Sequence, residues 1–356
     1  MQASRAVLSW LVAKPSSQPG PWMNSSTDQR AAPEASANNQ ARNLARRAVI
    51  DVGTNSVKIL IAEMTGLEIR PLLEDSEQTR LGRGFYETRR LQPEAIQATA
   101  KAVAGFALLA NSWQVSHIRV VATSAARDAI NASSLTSAIE EASGLPVEII
   151  SGEQEAEWVF HGICTDPRLE GKPLLIVDVG GGSTEIILGQ DREQFFRQSF
   201  PLGTVRLLER LPVSDPPRPE ELAATRLWIR DFIAGEIVPK LQLAINRFPG
   251  GSLQLVATGG TPAIMARIHL GMDSYDRDRI ESTRLGLSDV QRQVQLLWAA
   301  ALANRRTTPG LPSSRADVIL MGTAIIEGIM GQFGLANLQP STRGLRYAAL
   351  LPETTA

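Results

Sequence analysis

Short β-branched apolar runs dominate the first half of this chain and alternate with stretches of helical spacing. Runs at 47–52, 57–64, 68–74 and 118–123 predict strands, and 93–112 and 133–143 predict helices. A strand over 147–150 then leads into a helix that starts near Gly152. The same alternation returns with strands at 173–179, 184–189 and 253–257 and helices around 219–245, 261–270 and 288–303. Two last helices are expected over 314–333 and 343–351. The order describes two α/β units, and 356 residues is long for a single core. The prolines of SDPPRPEE, around Asp215, mark a loop rather than a boundary.

Within this pattern lies an ungapped internal repeat. Residues 48–62, AVIDVGTNSVKILIA, align with 175–189, LIVDVGGGSTEIILG. Each copy is a β-branched run ending in Asp-Val-Gly, a small polar turn and a second apolar strand, which predicts a tight hairpin. Such a turn can aim unpaired N–H groups at one anion while Gly53, Gly180, Gly181 and Gly182 let it approach the backbone. Thr54, Ser56, Ser183 and Thr184 add hydroxyl donors. Asp51 and Asp178 would repel a bare phosphate, so a hard cation or an attacking water is expected beside them. Either copy alone reads equally well as an ordinary turn. A third glycine turn, Gly259-Gly260-Thr261 between a strand and a helix, is also shaped for an anion. Three such turns in one chain favour a cleft for a nucleotide or a polyphosphate.

Composition narrows the partners. Thirty-six Lys and Arg face thirty-seven Asp and Glu, a net charge of −1, which argues against a nucleic-acid footprint and against a membrane-binding basic face. Cys164 is the only cysteine, so neither an intrachain disulfide nor a thiolate cluster can form, which suits a cytoplasmic location. Residues 1–45 are rich in Ser, Ala, Asn, Gln and Pro and read as a disordered leader. The run AVLSWLVA at 6–13 is a short, weak match to a signal-peptide core. Oligomeric state is not legible; a homodimer is the default assembly.

The sequence resembles the exopolyphosphatase and guanosine pentaphosphate phosphohydrolase (Ppx/GppA) family of the actin-like superfamily. The resemblance runs from about Arg47 to Leu351. Beyond the two hairpins it rests on RLGRGF at 80–85, VATSAARDAINA at 121–132 and VEIISGEQEAEWVFHGI at 147–163. It continues through PLGTVRLLE at 201–209, ATGGT at 257–261, SRADVILMGTAIIEGIM at 314–330 and STRGLRYAALL at 341–351. It implies two actin-like, ribonuclease H-like domains with mixed sheets flanked by helices and a cleft between them. The expected division is 46–163, rejoined by the helix 343–351, and 164–342. The family's long members append helical domains, and this chain resembles the short form.

The resemblance also implies the chemistry. Glu155 aligns with the glutamate taken as general base in the family motif Ser-Gly-x-Glu-Glu-Ala; here Gln154 replaces the first glutamate of that motif, which puts any metal role of that position in doubt. Arg127 aligns with an arginine near the scissile phosphate, and its planar fork suits phosphate. Asp178 and Glu185, together with Asp51, are the expected ligands of Mg²⁺ or Mn²⁺, an ion that keeps several waters and uses few carboxylates. Asn55 is expected to donate to phosphate. Without the alignment, Glu153, Glu155 and Glu157 would read as acidic residues favoured at a helix start, and Arg127 as a surface cation paired with Asp128 or Glu141. Arg80, Arg83, Arg206 and Arg267 lie in or beside family motifs as candidate cleft cations. The expected activity is hydrolysis of terminal phosphate from inorganic polyphosphate, with pppGpp as the alternative substrate. A superfamily ATPase or kinase and a silent nucleotide or phosphate sensor are the remaining readings; Gln154 keeps the last of them open.

Overall fold

The computed structural model describes residues 45–66, 68–248 and 253–351. Except for Ala45, which begins the first strand, the expected leader 1–45 lies outside the described residues, as does the apolar run 6–13.

The first sheet has five strands. β1 (Ala45–Val52) pairs antiparallel with β2 (Val57–Thr65), and β2 pairs antiparallel with β3 (Glu68–Glu77). On its other side β1 runs parallel to β4 (His117–Ala122), which runs parallel to β5 (Val147–Ile149), so the order is β3-β2-β1-β4-β5. The second sheet has six strands: β6 (Leu174–Val179), β7 (Thr184–Gln190), β8 (Glu193–Phe200), β9 (Gln254–Gly259), β10 (Leu285–Gly286) and β11 (Asn337–Pro340). Their order is β10-β11-β9-β6-β7-β8. The β6-β7-β8 meander and the parallel β9 repeat the arrangement of β1-β2-β3 and β4, as the internal repeat requires.

The helices of the first half are α1 (Pro93–Ser112), α2 (Ser124–Asp128), α3 (Ala132–Ser143) and α4 (Gly152–Ile163). In the second half lie α5 (Thr204–Arg210), α6 (Pro219–Phe232), α7 (Val238–Ile245), α8 (Gly260–Leu270), α9 (Arg277–Ser282), α10 (Leu287–Ala299), α11 (Leu302–Arg305), α12 (Ile319–Gln332) and α13 (Leu345–Leu350). α1 starts with proline, whose missing N–H has no intrahelical role at that position, and it buries Ile96, Ala100, Val103, Ala107 and Ala110 along one stripe. α12 buries nearly every side chain, so it sits inside the second core. The helix expected over 219–245 is interrupted by a π-turn at Ile233–Ile237 just before Pro239. Proline cannot donate to the preceding turn, and the widened turn absorbs that missing bond.

Strand alternation decides which residues face which layer. Ile50, Ile59 and Ile61 face α1 and α3, whereas Val49 and Leu60 face the other way and join Phe160 of α4 and Tyr347 and Leu350 of α13. Ile176, Ile187 and Val256 of the second sheet enter that same cluster. α4 and α13 are therefore held between the two sheets. Glu74 of β3 adds an ionic tie to α13, with Arg346 Nη2 at 3.1 Å, and pairs with Arg277 of α9.

Candidate active site

The same alternation brings the acidic residues of the two hairpins together. Asp51 shares a face with Val49, and Asp178 with Ile176, so both project from the ends of their strands toward the layer that holds α4. The two turns are closed identically: Gly53 N donates to Ser56 O at 3.0 Å, and Gly180 N donates to Ser183 O at 3.0 Å. The third turn joins β9 to α8. Gly259 there has φ 97°, and a Cβ at this position would lie 2.7 Å from Asp178 Oδ1 and 2.8 Å from Val179 O. Any other residue would displace the carboxylate.

One cavity is lined by Asp51, Gly53, Thr54, Asn55, Ser56, Glu155, Asp178, Gly180, Gly181, Gly182, Ser183, Glu185, Gly259, Gly260 and Thr261. The structure thus gathers almost every residue expected at the site. Thr184 is one of two exceptions. It opens β7 on the face opposite Ser183 and Glu185, and its hydroxyl donates to Leu202 O rather than toward the cavity. Arg127 does not line the cavity; it approaches through Glu155. Among the looser candidates, Arg80 pairs with Asp317 at 2.5 Å, Arg206 with Asp128 at 2.9 Å, and buried Arg267 donates to Asp273 O at 3.0 Å, while Arg83 is exposed.

Several buried donors and acceptors at the cavity have no hydrogen-bond partner among the described residues, including Asn55 Nδ2, Ser124 Oγ and Asp51 Oδ1. Buried polar groups are rarely left so. Gly182 faces this spot, and a Cβ on it would collide with Ser124 Oγ and Tyr86 OH. Donors of this kind around a glycine backbone are suited to phosphate oxygens.

Glu155 lies in the first turn of α4, whose N-cap Ser151 accepts from Gln154 N at 3.1 Å. Its side chain is buried, and Arg127 Nη1 donates to its Oε2 at 2.9 Å. Burial pushes its pKa up to about 7; Arg127 opposes this, and Asp178 and Asp51 add to it. Arg127 also donates to Ile150 O at 3.3 Å. Burial disfavours its charge, yet Glu155 outweighs that and holds its pKa above the usual arginine value. Glu153, two residues from Glu155, is exposed.

The repeat places unlike partners at equivalent positions. In the first hairpin Asp51 stands across the ladder from Lys58; in the second, Asp178 stands across from Glu185. Lys58 lowers the pKa of Asp51 and of Asp178 against the upward push of burial, which raises Asp178 to about 6. Glu185 is pushed well above the usual carboxylate range by burial, then by Glu155 and Asp178, although Ser199 Oγ donates to it at 2.7 Å. The Asp178–Glu185 side is thus a like-charge pair, half-buried at Asp178 and buried at Glu185, that needs a proton or a cation. Among the described residues no three carboxylate, histidine or cysteine side chains are placed to share one ion, so Asp51, Asp178 and Glu185 do not form a joint cage. Two carboxylates suffice for an ion that keeps its waters. The donor set therefore fits Mg²⁺ or Mn²⁺ at Asp178 and Glu185, with Asp51 balanced by Lys58.

Three site residues escaped the sequence reading. Lys58 interrupts an apolar strand on the side shared by Leu60 and Ala62, and that alternation was the available signal. Arg315 is half-buried and lines the same cavity, where its Nη2 donates to Ser56 Oγ at 2.6 Å and desolvation lowers its pKa to about 10. Ser124 lies within a quoted motif but carried no distinguishing pattern.

These shifts give a stability prediction. Glu155 and Asp178 titrate near 7 and 6 when folded, above the unfolded values of about 4. Folding then favours their protonated forms, so their stabilising contribution is fully present below about pH 4 and is lost as pH rises through 6 to 7. In chelator, Tm is expected to fall between about pH 5.5 and about pH 8, and added Mg²⁺ to raise Tm more at the higher pH. A Tm that rises across that interval in chelator would contradict the raised pKa of these two acids.

A model of the Ppx/GppA phosphatase family matches residues 60–353. Exopolyphosphatase 2 of Mycobacterium tuberculosis is 34% identical over 297 residues, covering 80% of this chain and 89% of the relative. An exopolyphosphatase structure from Cytophaga hutchinsonii superposes with a TM-score of 0.76 at 28% identity, covering 86% of this chain and 96% of that one. The Aquifex aeolicus family member superposes with a TM-score of 0.68 at 27% identity, with the same two shares covered. The two mixed sheets flanked by helices are thus the actin-like fold, and the chain belongs to the Ppx/GppA phosphatase family.

Proposed function

We propose that the protein is an exopolyphosphatase, which hydrolyses the terminal phosphoanhydride of inorganic polyphosphate at the cavity between the two hairpins. The observation that carries this reading is buried Glu155, held at 2.9 Å from Arg127 and titrating near neutrality beside phosphate-shaped turns. In this account the terminal phosphate is received by the glycine turns, with Asn55 Nδ2 and Ser124 Oγ donating to its oxygens. Glu155 takes a proton from the attacking water, and a carboxylate near neutrality is suited to that step. Arg127 swings its charge toward the phosphoryl oxygens as the carboxylate is protonated. Lys58 and Arg315 line the hairpin side of the cavity as its cationic groups; burial pushes the pKa of Lys58 down, and Asp51 favours its charged form against that. A divalent ion held by Asp178 and Glu185 would neutralise non-bridging oxygens. We read residues 46–163 and 164–342 as the two actin-like domains, with α13 as the connection back to the first. A cytoplasmic location belongs to the same proposal; among the described residues no helix is long and apolar enough to cross a membrane.

Polyphosphate is favoured over pppGpp because hydroxyls, glycines, carboxylates and cations line the cavity beside the aliphatic Val179, Ile264, Val318, Ile319 and Leu345, and none of its lining residues offers an aromatic face for a base. The test compares kcat/KM for tripolyphosphate, long-chain polyphosphate and pppGpp at fixed Mg²⁺ and salt. Polyphosphate of one length or the other is expected to lead, and a clear preference for pppGpp would reverse the assignment.

A further inference from the structure

The segment that follows β3 braces the first hairpin and carries a tyrosine that the reaction described above does not use. Arg80 N donates to Asn55 O at 3.1 Å and Gly82 N to Thr54 O at 2.7 Å, so the carbonyls of the turn are tied back to this segment. Gln78 Nε2 donates to Asn55 Oδ1 at 3.3 Å, which leaves Nδ2 as the free end of that amide. Further along, Phe85 is buried in the first core, and Tyr86 beside it is held in place by groups of the second half. Glu209 accepts from Gly84 N at 2.5 Å and from Tyr86 N at 3.2 Å, and Arg206 Cζ lies 4.3 Å from the centroid of the Tyr86 ring. Arg206 Nε in turn donates to Gly182 O at 2.7 Å, so the ring and the glycine turn are fixed to one guanidinium.

The Tyr86 hydroxyl is thereby brought to the second hairpin. A Cβ on Gly182 would lie 2.4 Å from Tyr86 OH, 2.4 Å from Ser124 Oγ and 2.9 Å from Thr54 Oγ1, so three hydroxyls converge on this one glycine. All three are buried and lack a hydrogen-bond partner among the described residues. One such group is uncommon in a folded protein, and three around a turn of the cavity point to a ligand that accepts hydrogen bonds. Gly182, Thr54 and Ser124 line the cavity itself, whereas the Tyr86 ring lines the neighbouring pocket and its hydroxyl end reaches Gly182. Burial pushes the phenol up to about 12, with Arg206 and the nearby Thr54 hydroxyl opposing and Glu209 and Asp128 adding to it. At neutral pH the group is therefore a protonated donor beside the turn.

We propose that Tyr86 is a further substrate-contacting residue: its hydroxyl, together with those of Thr54 and Ser124, donates to the oxygens of the phosphate that is cleaved. The inference rests on the hydrolase reading above and deepens it by adding a donor from outside the glycine turns. Because the contact is made to the terminal phosphate, it serves short and long chains equally.

The test uses Tyr86→Phe, which removes the hydroxyl and leaves a ring for Arg206. At saturating Mg²⁺, kcat/KM is expected to fall on the order of tenfold for tripolyphosphate and long-chain polyphosphate alike, the loss of one hydrogen bond to a charged group. The Kd of orthophosphate, titrated calorimetrically, is expected to rise by a similar factor, which a purely structural tyrosine would not cause. An unchanged kcat/KM, a loss confined to long chains, or unchanged orthophosphate binding would overturn the contact. Should the variant melt below the wild type, the titration run beneath its Tm still decides. If the wild type releases no phosphate from polyphosphate, the hydrolase reading fails on activity alone. The same titration then judges Tyr86 separately: weaker orthophosphate binding in Tyr86→Phe supports the contact, and equal or absent binding in both proteins overturns it.

Discussion

Glu155→Gln is expected to reduce kcat on the order of 10² to 10⁴ while leaving polyphosphate binding largely intact, because it removes the proton acceptor and keeps the shape. The amide can still accept from Arg127 Nη1, now 2.9 Å from Oε2, so the arginine need not move. The substitution also takes one carboxylate out of a site where Asp51 and Glu185 are buried with it and Asp178 is half-buried. Binding of an anion should therefore be no weaker, and the loss should appear in kcat rather than in KM. Glu153→Gln is the matched control, since Glu153 lies on the same first turn of α4 but is exposed. Near wild-type kcat in the pure Glu155→Gln protein would exclude Glu155 as the base.

Removal of divalent cations is expected to have an effect at least as large. Buried Glu185 and half-buried Asp178 stand across one ladder as a pair of like sign, and with both ionised they would repel each other and the substrate. EDTA should stop turnover, and Mg²⁺ or Mn²⁺ should restore it. Glu185→Gln should raise the concentration of Mg²⁺ needed for half-maximal rate, because one of two carboxylates then carries no charge. Asp51→Asn should disturb that requirement less, since Lys58 already faces Asp51. Full activity in excess chelator, or equal effects of the two substitutions, would contradict placing the ion on the second hairpin.

How much of this was legible in the sequence follows the strength of local signals. The hairpins were readable because β-branched runs and glycine turns recur in one pattern: the runs expected at 57–64 and 184–189 are the strands Val57–Thr65 and Thr184–Gln190. β8 was missed because EQFFRQSF mixes charged and aromatic residues with no clean alternation, as suits an edge strand with one neighbour. β10 and β11 are too short to stand out, and β11 ends in proline. α5 lies within a quoted family motif but spans only seven residues, and its start depends on the turn packed against Gly181 and Gly182. At the site, the chemistry-bearing acids could be named because the repeat and the family motifs pointed to them. Lys58 and Arg315 could not, since their roles depend on which strand face meets α4 and on a segment more than 250 residues away folding back to Ser56. Thr184 was misplaced for the same reason: the turn pattern shows a hydroxyl, and only the pairing of β7 shows which way it points.

The central claim is that water, activated at Glu155, attacks the terminal phosphorus. It is tested most directly by hydrolysing polyphosphate in ¹⁸O-enriched water and locating the label. The account predicts one ¹⁸O in each orthophosphate released and none in the shortened chain. Label in the chain end, or unlabelled orthophosphate, would contradict it, because the bond broken or the acceptor of the phosphoryl group would then be a different one.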